Sequence, residues 1–140
     1  MLIRNGTVYD AVHREPYRAD IRTENGKIAA IAPALSPLDG EEIYEAAHLR
    51  IYPGLIDAHT HIGLDDYGIG SPGQDYNEYN EPVTPQLRAL DSVYPHDLAI
   101  PSALAAGVTT VCTGPGSSNV IGGTFAAVKL WGRCVDDMVV

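Results

Sequence analysis

Cysteine, the larger aromatics and positive charge are all scarce in this chain of 140 residues, which has two cysteines, one tryptophan, one phenylalanine and two methionines. Cys112 and Cys134 lack metal-knuckle spacing and are too few for a disulfide framework. They read as two buried or partly buried thiols in a reducing compartment. Nine Lys and Arg stand against 18 Asp and Glu, for a net charge of −9. That balance argues against nucleic acid and anionic membranes as partners. No apolar run approaches the roughly 20 residues of a transmembrane helix. The opening Met1-Leu-Ile-Arg-Asn-Gly6 lacks the basic-then-apolar form of a secretory signal. A cytoplasmic protein is expected. With 45% hydrophobic and 19% charged residues, the chain reads as globular, and its length suits one ordinary domain.

What is present centres on Tyr52-Pro-Gly-Leu-Ile-Asp-Ala-His-Thr-His-Ile-Gly63, an apolar run ending in two histidines one residue apart. As a strand it has a period of two, so Leu55, Asp57, His59 and His61 share one side. The two imidazoles are then roughly 6.6–7 Å apart along the backbone, close enough to converge on one metal ion at about 2.0–2.1 Å per Zn–N bond. A helix would not place residues i and i+2 on one face. Asp57 is a candidate either to orient an imidazole from outside the ligand set or simply to bond a neighbouring backbone group.

Before this run, residues 1–52 read as short strands joined by turns. Residues 1–4 and 7–9 flank Asn5-Gly6, a hairpin signal. Residues 19–23 and 27–31 flank a second turn, Glu24-Asn25-Gly26. A proline-containing loop covers 32–40, and residues 43–44 and 49–52 supply further strand. A small β-sandwich, or half of one, is expected. Pro53-Gly54 marks the change of architecture.

After it, residues 64–94 lack periodicity and hold Asp65, Asp66, Asp75, Glu78, Glu81 and Asp91 against a single Arg88. The segment is either a solvated acidic excursion or a long ordered loop of the kind that is often functional. Residues 97–106 read as a helix capped by Asp97 and stopped by Gly107, with Pro101 tolerable within or just past its first turn. Val108-Thr-Thr-Val-Cys112 reads as a strand, which makes a strand–helix–strand unit with parallel strands. Both carboxyl ends, His59/His61 and the Gly/Ser-rich loop 113–123, then face one rim. Residues 124–131 suggest another strand with Ala126, Val128 and Leu130 on one face, and residues 133–140 suggest the start of one more.

The loop 114–123 lacks the Gly-Lys-Ser/Thr ending of a P-loop and the spacing of a dinucleotide fingerprint, so it is expected to shape a pocket. His13, His48 and His96 are expected at the surface or at a cap. Lys129 could bridge metals once modified, or snorkel outward. A catalytic zinc takes three protein ligands and a water, and no second histidine pair is present.

The run from Pro53 to His61 closely resembles the first barrel strand of the amidohydrolase superfamily, and Glu24-Asn-Gly-Lys-Ile-Ala-Ala-Ile31 resembles part of its β-sandwich domain. Ala105-Ala-Gly-Val-Thr-Thr-Val111 resembles the end of the first barrel helix and the second strand. Imidazolonepropionase-like members are the most similar branch. The resemblance implies an α/β architecture: the N-terminal part of a β-sandwich domain over residues 1–52, then the first strands and helix of an incomplete (β/α)8 TIM barrel over 53–140. It implies His59 and His61 as ligands of a divalent metal, commonly zinc, with one or two ions in a complete enzyme. It implies hydrolysis of non-peptide C–N bonds, amide or cyclic amide, in a small molecule. The family's remaining ligands and its late catalytic aspartate have no counterpart here, and a full barrel takes about 250 residues. The expectation is therefore the N-terminal segment of a larger hydrolase, inactive alone and open to homo-oligomerisation through its strand edges. The alternatives are a non-catalytic metal-binding or assembly module using the same histidines, and a β-rich scaffold in which they are structural.

Overall fold

The structure is a computed structural model that describes residues 1–74 and 76–140. Its contacts divide the chain into two units, Met1–Pro53 and Gly54–Val140.

The first unit is one five-stranded mixed sheet rather than two layers. It is built from β1 (Leu2–Val8), β2 (Tyr17–Glu24), β3 (Lys27–Ala32), β4 (Ile43–Glu45) and β5 (Arg50–Ile51). β1 to β3 form an antiparallel meander, and both β4 and β5 run parallel to β1 along its other edge. Asn25 and Gly26 have φ of 50° and 72°, as a two-residue type I′ hairpin turn requires.

Asn5-Gly6 is not a hairpin turn. β1 runs straight through it, and Arg4 and Asn5 together face the single residue Asp20, a β-bulge with Asn5 at φ 60°. An Asn-Gly pair supplies the positive φ that a turn needs, and a bulge needs the same thing. Asp20, buried on the partner strand, decides between them: its Oδ1 accepts the Asn5 backbone N–H at 2.7 Å and its Oδ2 that of Leu35 at 2.8 Å. The extra residue resets the alternation, so Ile3, opposite Ile21, comes onto the face of Gly6 and Val8. These residues pack with Ala19, Tyr17 and Ile51 into the unit's core.

The second unit is a three-stranded sheet, β6 (Leu55–Thr60), β7 (Val108–Thr113) and β8 (Ala126–Lys129), in that order. β6 and β7 are parallel and joined through α1 (Ala99–Ala105), and Gly107 follows the helix at φ 89°. β8 returns antiparallel to β7, so strand–helix alternation extends over β6, α1 and β7. As the pattern suggested, Val128 and Leu130 are buried; they join Ile100, Val111 and Met138 in the core, with Ala126 packed against them. Residues 135–138 form the helical turn α2 (Val135–Met138), not a strand. The Arg133 N–H donates to Asp137 Oδ2, the Asp137 N–H donates to the Cys134 carbonyl, and Met138 is thereby turned into the core. Among the described residues no helix is long and apolar enough to cross a membrane.

Candidate metal centre

β6 carries His59 and leads into His61, but its pairing with β7 shifts register between Asp57 and Thr60, so the strict alternation expected from Leu55 to His61 is interrupted by a bulge at the first histidine. The His59 and His61 rings lie with centroids 5.6 Å apart, edge to face at 80°. His61 is the first residue beyond β6, and the end of β7 grips the chain there. The Gly114 N–H donates to the Thr60 carbonyl at 3.2 Å, and the buried Thr113 hydroxyl donates to the Ile62 carbonyl at 2.7 Å. Next along, Gly63 takes φ 85°, a conformation glycine adopts without strain. Its N–H donates to Asp97 Oδ2 at 2.8 Å.

Asp97, expected as the helix cap, lies one residue before the Leu98 cap of α1, and from there it accepts the Ala99 N–H at 2.9 Å. It also accepts the N–H groups of Gly63 and, at 3.2 Å, Tyr67. One buried carboxylate thus ties the end of the histidine strand to the start of α1.

His61 Nδ1 lies 2.7 Å from the Gly114 carbonyl oxygen. A carbonyl only accepts, so Nδ1 carries a proton, and in the neutral ring Nε2 is then the nitrogen with the lone pair. That is the tautomer a metal ligand needs, held by the kind of backbone partner that supports ligating histidines. Two aromatic rings wall the pair. Phe125 lies 5.0 Å from His59, tilted at 42°. Tyr76 stacks on His61 at 4.9 Å, with the planes 7° apart. Gly114 has no room for a side chain, because a Cβ would overlap the Phe125 ring.

The other candidates fall as follows. Asp57 Oδ1 accepts the His59 backbone N–H at 3.1 Å, so in this geometry it braces the main chain. Lys129 donates to the Thr110 hydroxyl opposite it on β7 at 2.9 Å. His13 is exposed and pairs with Asp10; His48 is exposed; His96 is exposed with its ring edge-on to Tyr94. Cys112 and Cys134 are free thiols, the first half-buried and the second exposed. Of the acidic segment, Asp75 lies outside the described residues. Glu78 accepts the Asn80 N–H, which holds its carboxyl below the ordinary range. Among the described residues no three His, Cys, Asp or Glu side chains gather as a metal cage.

The acidic segment is not a free excursion. Val83 and Arg88 bridge to Ile121 and Thr124, and Leu64, Ala89 and Val93 form a small core of their own. Between this segment and the rim loop lies a cleft of about 280 Å³, lined among others by Tyr76, Asn77, Arg88, Pro115 and Gly122. Tyr76, Phe125 and the Gly114 carbonyl were not identifiable beforehand. The first sits in an aperiodic stretch, the second lies just before β8, and the third is main chain.

No family model matches the chain. A curated amidohydrolase (tasK) of Hapsidospora irregularis is 32% identical over 113 residues, 79% of this chain and 12% of that protein. Dihydropyrimidinase 2 of Caenorhabditis briggsae is 39% identical over 70 residues, 49% of this chain and 13% of its own length. An Escherichia coli allantoinase is 44% identical over 62 residues, 44% of this chain and 13% of its own length. A solved amidohydrolase from Thermotoga maritima superposes with a TM-score of 0.91 at 38% identity, covering 99% of this chain and 36% of that one. The chain belongs to the amidohydrolase superfamily and carries the N-terminal segment of that architecture, a β-rich one of mixed sheets and few helices. It spans about an eighth of the curated relatives' length. The names of these relatives are amidohydrolase, dihydropyrimidinase and allantoinase; none of the three is an imidazolonepropionase.

Proposed function

We propose that this chain supplies the first metal-ligand pair, His59 and His61, of a metal-dependent hydrolase. Its reaction is cleavage of a non-peptide C–N bond, amide or cyclic amide, in a small-molecule substrate in the cytoplasm. Residues 1–52 serve as the N-terminal strands of a composite β-sandwich domain, and residues 53–140 begin a (β/α)8 barrel. The observation that carries the reading is the His61 Nδ1–Gly114 contact at 2.7 Å, which leaves Nε2 without a protein partner among the described residues, on a ring whose centroid is 5.6 Å from that of His59.

The donor set suits a borderline-soft divalent ion, zinc first. Such an ion supplies Lewis-acid polarisation of a carbonyl and activation of water. The chain's own residues hold and orient. Gly114 and Thr113 fix the end of β6, Asp57 braces the His59 backbone, and Phe125 and Tyr76 shield the rings. Two imidazoles fall short of the three protein ligands of a catalytic zinc, so the segment alone is inactive. One or two ions belong to the complete enzyme.

Zinc titration of the chain with 15N-labelled histidine tests this. The Nε2 resonances of His59 and His61 are expected to shift together, while those of His13, His48 and His96 stay in place. Shifts confined to the latter three would overturn the assignment.

A further inference from the structure

We infer that Tyr76 is a positioning residue for His61, and that residues 76–81 are latched to the rim loop so that this tyrosine fixes the plane of the imidazole. The inference rests on the metal-ligand reading above. The single bond from Nδ1 to the Gly114 carbonyl restrains the His61 ring at one atom and leaves one of the side chain's two torsions free to compensate the other. The Tyr76 face, 4.9 Å away and 7° from parallel, removes that freedom. Both constraints come from one loop. The Tyr76 carbonyl accepts the Gly116 N–H at 2.6 Å. Asn119 Nδ2 donates to the carbonyls of Glu78 at 2.7 Å and Glu81 at 3.0 Å. Gly116 is closely packed on the side where these meet: a Cβ there would overlap the Asn77 amide oxygen and come within 2.7 Å of Tyr76 Cδ2. The acceptor for Nδ1 and the anchor for the stacking ring therefore lie two residues apart on the same rim, and a shift of one shifts the other. Tyr76 also packs on the Leu64, Ala89 and Val93 cluster, so a purely space-filling role is the competing explanation.

The experiment separates the two. The 15N-histidine-labelled chain is compared as wild type, Tyr76→Phe, Tyr76→Leu and Gly116→Ala, reading the His61 tautomer without metal and then Co2+ affinity. Phe keeps the aromatic face, Leu keeps only apolar bulk, and Gly116→Ala displaces the latch while keeping the chemistry of both rings. Wild type and Tyr76→Phe are expected to hold one tautomer with the proton on Nδ1. Tyr76→Leu and Gly116→Ala are expected to average both tautomers and to bind Co2+ about tenfold more weakly, the lower end of what losing a supporting partner costs a metal site. If Tyr76→Leu keeps the single tautomer or wild-type Co2+ affinity, the positioning role is overturned. His61→Ala is the control. If it leaves Co2+ affinity unchanged, the metal reading itself fails, an outcome distinct from a wild-type result for Tyr76→Leu alone.

Discussion

Asp97 is almost wholly buried, at 1% exposure, and its carboxylate is surrounded by three backbone N–H donors from two segments. Hydrogen bonds to an ionised acceptor stabilise more than neutral ones, and a donor left unpaired in the interior costs about 1–3 kcal/mol. Asp97→Ala strips partners from Gly63, Tyr67 and Ala99 at once. It is expected to destabilise the chain by about 3 kcal/mol, read as a fall in the urea midpoint, and to loosen the amides of residues 61–63 in hydrogen exchange. An unchanged midpoint would mean that the carboxylate merely occupies the space. At this scale the sequence was partly legible. A period of two is enough to suggest that His59 and His61 share a side, and an Asp before a helix is enough to suggest a cap, but neither reveals the register shift between Asp57 and Thr60. That the same Asp reaches back over thirty residues to Gly63 depends on packing, which leaves no local signature.

The elements show why some local signals resolve and others do not. Asn25-Gly26 and Asn5-Gly6 are the same dipeptide, and both asparagines take positive φ. One closes a hairpin because alternating strands lie on each side of it; the other bulges because Asp20 offers its N–H a carboxylate across the sheet. A short-range reading sees the need for positive φ and not the partner. The same sheet carries a pH signature. Arg22 makes a two-point pair with Glu41, at 2.8 Å for each contact, which pushes the Glu41 carboxyl down to about 2 from an ordinary 4.5. The folded value lies below the unfolded one, so the stabilisation is complete above about 4.5 and is lost as pH falls toward 2. Arg22→Gln is therefore expected to flatten the acid limb of stability against pH in that window, measured by urea unfolding. An acid limb identical to wild type would remove the pair from the account. The helical turn Val135–Met138, where a strand was expected, is a similar case: its apolar residues suit either form, and the Cys134–Asp137 backbone bond and the burial of Met138 choose.

Across the whole molecule, burial is uneven. β6, the strand that leads into the histidine pair, lies at the sheet's edge, with Leu55 and Ile56 at 57% and 73% exposure, whereas Leu130, just past β8, is at 1%. Ile56→Lys is expected to change stability by less than about 0.5 kcal/mol, and Leu130→Ala to cost about 2–5 kcal/mol, both by thermal or urea unfolding. A large loss from Ile56→Lys would show that the edge is already covered, as it would be in a homo-oligomer of this chain. The superfamily was legible because its histidine strand is short, apolar and complete within the sequence. The reaction partners of that strand were not, because among the described residues no three His, Cys, Asp or Glu side chains come together.

The central claim is that His59 and His61 bind one ion together. The most direct test is the zinc retained by the wild-type chain, His59→Ala and His61→Ala after equilibrium dialysis against the same buffered zinc. The expected result is that the wild type retains the most and that both variants fall to one common, lower level, by more than the roughly 10–100-fold loss of affinity that removal of a supporting residue brings. Equal zinc in all three would contradict the claim and leave the pair a structural feature of the strand.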